Sequence, residues 1–268
     1  MKQTSKPFDK LHIGSDLAAG LRKHGISRPT ELEKQLFPYA LAGIDTAAEL
    51  TNSDRIESIV IPALERLDPA VDKVQILIFS PMRQRVRQLA SRLNKIGEDK
   101  GVKAAAIHAG TDTDKQFEAL KRANIVCASP SRLLELQSQQ SFEFERVKLV
   151  CLDRANKLFA GNLHGNYEKL ISRITSPFNT AVFADEFTTR VHQFVAENLV
   201  EPEIFNAPGN ESEQPKRRPH QYYRIDGLGR KRAFLRVLEY EEPERGIIYV
   251  KGGYHYYGLR EILHRHGY

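Results

Sequence analysis

The sequence predicts an α/β fold built on a mostly parallel sheet, and three observations lead to this prediction. Between about residue 45 and residue 200, short apolar runs alternate with longer segments whose apolar residues recur every three or four positions. The runs are short enough to be strands buried on both faces of a sheet. The composition, 41% apolar and 28% charged over 268 residues, is that of a globular protein and excludes collagenous, mucin-like and wholly disordered classes.

The individual elements follow from these patterns in chain order. Five runs are predicted as strands: 75–79, 103–109, 124–129, 147–153 and 180–184. Four intervening segments are predicted as amphipathic helices: 82–96, 112–122, 167–175 and 187–198. The two cysteines, Cys127 and Cys151, fall inside predicted strands and lack any zinc-ligand spacing, so we expect them to be small buried apolar residues.

The pattern ends at residue 206, and the chain is expected to divide there. Residues 206–220 are rich in Pro, Gly and charge without any helical or strand period, which predicts a linker. Beyond it the sequence predicts a helix over 230–238, a strand over 246–250 and a last helix over 254–266. Residues 221–268 are too few to bury an α/β core of their own. The expected organisation is a domain over 1–205, the linker, and a fragment over 221–268.

Charge and hydropathy constrain the partners. The 40 Lys and Arg against 34 Asp and Glu give a net charge of +6, a mild excess that slightly favours a nucleic-acid partner. The sequence contains no apolar stretch of the length that crosses a bilayer, and its first ten residues lack the apolar segment of a secretory signal. We therefore expect a cytoplasmic protein with no membrane partner.

Short motifs in a fixed order identify the fold more closely. They are GISRPTELE at 25–33, ELTNSDRI at 49–56, PMRQRVRQ at 81–88, SPSR at 129–132, DRAN at 153–156 and ADE at 184–186. Together these segments resemble the first domain of a DEAD-box RNA helicase, followed by the linker and the opening of the second domain. The resemblance implies a RecA-like, P-loop NTPase-type three-layer α/β domain with a mostly parallel sheet, plus a truncated second-domain fragment.

The residues that hold nucleotide in that family are altered in this chain. Glu33 stands where the family has an adenine-reading Gln, and a carboxylate can only accept hydrogen bonds. In the phosphate loop Thr51 and Ser53 remain, but Asn52 and Asp54 replace both glycines and Arg55 replaces the Lys. Ile56 also removes the hydroxyl that holds magnesium. An aspartate beside a triphosphate is repelled by it.

The catalytic box keeps only its first carboxylate. Asp153 is retained, but Arg154 stands where the family has the acid that polarises water, and a guanidinium cannot be a general base. The segment 184–186 lacks both hydroxyls of the family's Ser-Ala-Thr motif. We therefore predict no catalytic residue, metal or cofactor, and a vestigial nucleotide site at Glu33, Thr51, Ser53, Arg55 and Asp153.

The segments that contact RNA in the family are better preserved. The resemblance implies backbone contacts from five residues, Arg83, Gln88, Gly110, Ser129 and Arg132. Under the alternative interpretation, Arg83, Arg85 and Arg87 are solvated, and Ser129 and Arg132 only begin a helix.

The C-terminal fragment carries two further features. The segment 216–236 holds eight Lys or Arg with aromatic residues between them, which is typical either of polynucleotide binding or of a solvated linker and helix face. The histidines at 255, 264 and 266 favour ordinary surface positions over a metal site, since no acidic or Cys companion stands at suitable spacing. The fragment's predicted strand leaves an unpaired edge, which favours a protein partner or self-association.

These observations lead to one hypothesis and two alternatives. The hypothesis is a catalytically inactive helicase-like protein that binds single-stranded or structured RNA, or a protein partner. The first alternative is a divergent ATP-dependent RNA helicase that uses ATP and Mg²⁺. The second is a protein-interaction scaffold with no role in nucleic-acid binding.

Overall fold

The computed structural model describes residues 8–11, 13–50, 56–140, 142, 144–160 and 163–205, and five further residues, which are all helical: Phe234, Leu235, Val237, Leu238 and Leu263. The chain divides into two compact units, Met1–Glu213 and Gln214–Tyr268. The five helical residues fall inside the predicted helices 230–238 and 254–266. The predicted linker, the strand 246–250, the basic segment and the histidines otherwise lie outside the described residues, so the domain limits stay a prediction.

A parallel sheet forms the centre of the described part of the chain. Its seven strands lie in the order β3-β4-β2-β5-β6-β1-β7, and every pairing is parallel. The strands are β1 Thr46–Glu49, β2 Ile76–Phe79, β3 Ala104–Ile107, β4 Ile125–Ala128, β5 Leu149–Asp153, β6 Asn179–Ala184 and β7 Glu203–Phe205.

Helices cover both faces of this sheet. They are α1 Ser15–Lys23, α2 Glu31–Ala42, α3 Glu57–Arg66, α4 Arg83–Ile96, α5 Thr113–Arg122, α6 Pro130–Gln139, α7 Ala155–Ala160, α8 Leu163–Ile171 and α9 Thr189–Asn198. One apolar core lies between the sheet and α1 to α4, and a second lies between the sheet and α5 to α9. The predicted three-layer α/β fold is therefore confirmed. Among the described residues, no helix combines the length and the apolarity needed to cross a bilayer.

The predicted elements agree with the structure in type, with some errors of extent. All five predicted strands are present, and Cys127 and Cys151 are buried in β4 and β5 as expected. Burial on both faces holds for β2, β4, β5 and residues 180–184 of β6. It is wrong for the edge strand β3, whose residues alternate between buried and half-buried. The helix predicted over 167–175 is shifted, because α8 ends at Ile171. Sequence patterns did not identify β1, β7, α1, α2, α3 or α7. They gave the start of α6 only in the alternative interpretation of Ser129 and Arg132, and that helix is present.

The pairing of β2 with β5 positions the candidate site. Phe79 pairs with Leu152 in the parallel register, so the residues that follow, Ser80 and Asp153, lie side by side where the strands end. Helix α4 begins three residues after Ser80. Residues at these three places are therefore close in space although they are far apart in sequence.

Candidate functional site

Asp153, at the end of β5, has both carboxylate oxygens engaged by neighbouring side chains. The Ser80 hydroxyl donates to Oδ2 at 2.7 Å. The Arg85 guanidinium donates from Nε to Oδ2 at 3.2 Å and from Nη2 to Oδ1 at 3.3 Å. The Arg85 and Asp153 side chains are only 4% and 2% exposed, so this is a buried ion pair. The alternative interpretation in which Arg85 is solvated is wrong.

The periodicity of α4 explains why Arg85 is buried. The apolar residues Val86, Leu89, Leu93 and Ile96 pack toward the sheet. Arg85 is four positions before Leu89, and residues with this spacing lie on one face of a helix. The Arg85 side chain therefore lies at the edge of the buried face of α4, where the Asp153 carboxylate neutralises its charge.

Glu33 also has an internal structural role. Its carboxylate accepts from the Thr30 backbone N–H at 2.8 Å, and the Thr30 hydroxyl accepts from the Glu33 N–H, which together form a capping box at the start of α2. The second carboxylate oxygen accepts from the Ser58 hydroxyl of α3 at 3.0 Å. Glu33 is fully buried, so its carboxylate joins α2 to α3.

Arg154 occupies an unusual backbone position directly after β5. Its φ is 56°, in the left-handed region that non-glycine residues seldom adopt, and its carbonyl accepts from Lys157 N and Leu158 N at the start of α7. The segments 153–156 and 184–186 are also linked. Asn156 Oδ1 accepts from the Asp185 N–H at 3.2 Å, and Lys157 pairs with Asp185 at 2.9 Å. A hydrogen bond and an ion pair therefore join the segments 153–156 and 184–186.

The phosphate-loop residues of the predicted nucleotide site, Thr51, Ser53 and Arg55, lie outside the described residues. Of the predicted vestigial site, the structure places Glu33 and Asp153, each in its own set of hydrogen bonds. Among the described residues, no group of three or more His, Cys, Asp or Glu side chains is arranged to hold a metal ion.

Two of the predicted RNA-contacting residues lie against each other. Gly110, in the turn after β3, has a φ of 84°, and a Cβ added there would lie 2.8 Å from Nη1 of Arg83. Both residues are exposed. The exposed Arg83 side chain therefore passes over Gly110, which has no side chain.

The other three predicted RNA-contacting residues differ in their exposure and in the hydrogen bonds that their side chains already make. Arg132 donates to Gln116, Glu135 and Thr113, at 3.2, 2.6 and 2.9 Å, which uses three of its five N–H donors. Ser129 is the N-cap residue of α6, is half-buried, and makes no side-chain capping bond. Gln88 is exposed on α4 and lies one turn beyond Gln84.

Sequence reasoning missed two groups of site residues. Ser80 and Arg85 were not identified as partners of Asp153, although an arginine at the edge of an apolar helical face is a signal for a buried pair. The capping box was also missed, although Thr30 followed three residues later by Glu33 is its usual pattern. That pattern indicates a helix start regardless of any role in nucleotide binding.

The family comparison matches the core of this domain. Residues 57–187 match the model of the DEAD/DEAH box helicase family. The chain is 25% identical over 265 residues to the DEAD-box ATP-dependent RNA helicase CshA of Bacillus subtilis, which covers 97% of this chain and 53% of the relative. It is 24% identical over 247 residues to the RNA helicase CrhR of Synechocystis, which covers 91% of this chain and 50% of the relative. The chain thus spans about half the length of these relatives.

Solved structures share the fold. A DEAD box protein from Methanococcus jannaschii superposes with a TM-score of 0.70 at 20% identity, covering 98% of this chain and 71% of the other. Dbp5 of S. cerevisiae, solved bound to RNA and ADP BeF3, superposes with a TM-score of 0.66 at 15% identity, covering 76% of this chain and 52% of the other. At these identities the likeness concerns the fold alone.

Proposed function

We propose that this chain, which matches the DEAD/DEAH box helicase model over residues 57–187, is a helicase-family domain that binds RNA and does not hydrolyse ATP. The observation that carries the proposal is the buried pair between Arg85 and Asp153. Asp153 is the carboxylate that the family resemblance assigns to magnesium, and here a guanidinium neutralises it.

The residues around Asp153 do not fit a magnesium ion. Mg²⁺ needs oxygen ligands at about 2.0–2.1 Å in near-octahedral geometry, and Asp153 already accepts from Arg85 and from the Ser80 hydroxyl. A divalent ion about 4 Å from the guanidinium would be repelled by about 8 kcal/mol at an effective dielectric of 20. Arg85 would have to leave a site in which it is 4% exposed to relieve that repulsion.

Two other residues support the loss of hydrolysis. Arg154 takes the position of the water-polarising acid, and a guanidinium cannot accept a proton from water. Glu33 takes the adenine-reading position, and its carboxylate already accepts from Thr30 and Ser58. Defects in catalytic groups that act as a unit are not additive, so restoring one group would not restore the rate.

The RNA-binding part of the proposal rests on polar groups at the ends of β2, β3 and β4. Arg83 is exposed beside the open turn at Gly110, and Ser129 and Arg132 follow β4, which lies between those two strands. Arg132 is held in place by its three internal bonds and still has two N–H donors. Such groups contact phosphates and sugars without reading bases, so binding is expected to be tolerant of sequence.

A paired measurement tests both halves of the proposal. Phosphate release from ATP is followed with Mg²⁺, with and without single-stranded RNA, and RNA affinity is measured with and without ATP and Mg²⁺. We expect no release above the no-protein blank and an RNA affinity that nucleotide does not change. RNA-stimulated release would instead support a divergent ATP-dependent helicase. Lack of RNA binding at low salt would support a protein-interaction role.

A further inference from the structure

An open groove runs along one side of α4, toward the start of α3. It has a volume of about 710 Å³, and Ile56 lines it at the α3 end. The α4 side chains in it recur with helical spacing, from Gln84 through Arg87, Gln88 and Ser91 to Lys95. All five of these side chains are exposed. These five residues belong neither to the buried core nor to the Asp153 site.

The groove has a strongly positive lining. Arg85, Arg87, Arg92 and Lys95 all line it, and none of the described lining residues is acidic. The charge of Arg85 is balanced by Asp153, and that of Arg92 by Glu57 at 2.7 Å. Arg87 and Lys95 form no ion pair with any residue in the described part of the chain. Two positive charges in the groove thus remain for an anionic partner.

The dimensions of the groove favour a polymer over a single anion. Arg87 and Lys95 are eight residues apart, which is about 12 Å along a helix, and the polar lining from Gln84 to Lys95 spans about 16 Å. Charges at this spacing suit two phosphates of one strand better than a single phosphate group. The amides of Gln84 and Gln88 and the hydroxyl of Ser91, between the two charges, can donate to phosphate oxygens or accept from a 2′-hydroxyl.

We propose that this groove binds the sugar-phosphate backbone of RNA, as a continuation of the surface at Arg83 down the length of α4. This inference rests on the proposed RNA-binding function. The groove begins at Gln84, directly after Arg83, so one strand can pass from the turn at Gly110 into it. Grooves of this kind, with positive charges along a backbone path, bind single strands with little sequence preference.

The test is the salt dependence of RNA binding by the full chain. The variant Arg87→Gln/Lys95→Gln removes both unpaired charges, and Arg122→Gln/Lys169→Gln is the matched control. The control residues are also exposed and lie on α5 and α8 in the opposite helical layer. Affinity for a single-stranded RNA is measured at several salt concentrations, and thermal unfolding of both variants verifies that they are folded.

The groove variant is expected to bind RNA about five- to tenfold more weakly at low salt, as loss of two exposed ion pairs gives. The slope of log affinity against log salt should fall by about 1.4, while the control keeps the slope of the unaltered protein.

Equal slopes in both variants, with RNA still bound, would overturn the groove assignment and leave the proposed function in place. If the unaltered chain binds no RNA, both fail. If the groove variant loses binding to poly-L-glutamate but keeps its RNA affinity, the groove binds an acidic protein and the RNA proposal is overturned.

Discussion

The Arg85 guanidinium lies inside the domain against the Asp153 carboxylate, with Nε 3.2 Å from Oδ2. The pair joins α4 to β5 across β2, whose following residue, Ser80, donates to the same carboxylate. At the position that the family resemblance assigns to a metal-binding acid, the chain therefore has a charge pair formed entirely from its own side chains. Such a pair makes the fold depend on both partners.

Removing one partner of this pair should be costly. Arg85→Leu leaves the Asp153 charge buried without its cation, so we expect a loss of about 3–5 kcal/mol in the free energy of unfolding. For a domain of this size that corresponds to a fall of roughly 10 °C in Tm. Urea unfolding followed by circular dichroism measures the change.

The double variant Arg85→Leu/Asp153→Asn provides the control. It removes both charges and keeps an acceptor for the Ser80 hydroxyl, so it should be more stable than the sum of the single changes predicts, by about 2 kcal/mol or more. Additive effects in this double-mutant cycle would contradict a direct pairing of Arg85 with Asp153. So would a loss below about 1 kcal/mol in Arg85→Leu.

The fold was largely predictable because most of its strands are apolar runs. The two strands that were missed show where this signal ends. Strand β1 reads Thr-Ala-Ala-Glu, and Ala and Glu are uncommon in strands, so pairing with β6 and β7 fixes its conformation against local preference. Strand β7 has only three residues, at an edge of the sheet, and gives too short a pattern to detect.

The site was predictable only in part, for a different reason. Asp153 could be located because it ends an apolar run, but its partner Arg85 is 68 residues away in sequence. Their contact depends on the parallel pairing of β2 with β5, which no local pattern specifies. Glu33 was identified through its family position, whereas its actual contacts, with Thr30 and Ser58, follow from helix capping and the packing of α2 on α3.

A change at Glu33 separates its structural role from a nucleotide-binding role. Glu33→Gln restores the family's residue and can still complete the capping box, so the free energy of unfolding should change by less than about 1 kcal/mol. Glu33→Ala removes the cap and leaves the buried Ser58 hydroxyl without this acceptor, which should cost about 1–3 kcal/mol. Titration with a fluorescent ATP analogue should detect no binding by either variant. Micromolar binding by Glu33→Gln would contradict the loss of the nucleotide site.

The two cysteines should make the fold sensitive to alkaline pH. Burial raises the pKa of the Cys151 thiol from 9.0 to about 12 and raises the pKa of the Cys127 thiol well above its ordinary value. The unfolded chain ionises these thiols first, so their contribution to stability is complete below about pH 9 and is lost as pH rises toward 12. Urea midpoints at pH 7, 8.5 and 10 should fall above pH 9, and the fall should be smaller in Cys151→Ala.

The same burial should protect both thiols from reagents. A disulfide reagent at pH 8 should modify neither cysteine in the folded protein and both in urea, because the reactive thiolate is scarcely populated in the core. Rapid modification of the folded chain would contradict the burial of Cys127 and Cys151 in β4 and β5.

Gly110 offers a way to move Arg83 without changing its charge. In Gly110→Ala the new Cβ would lie 2.8 Å from Nη1 of Arg83, so the guanidinium must shift away from the turn. The left-handed φ of 84° adds a backbone cost of about 1–2 kcal/mol.

Gly101→Ala is the matched control, since its φ is 68° and nothing lies within 4 Å of the added atom. Both variants should lose similar stability in urea unfolding. Only Gly110→Ala should bind single-stranded RNA more weakly, by about three- to tenfold, because it alone displaces a guanidinium that we propose contacts phosphate. Equal RNA affinity of the two variants would remove Arg83 and its turn from the RNA-binding surface.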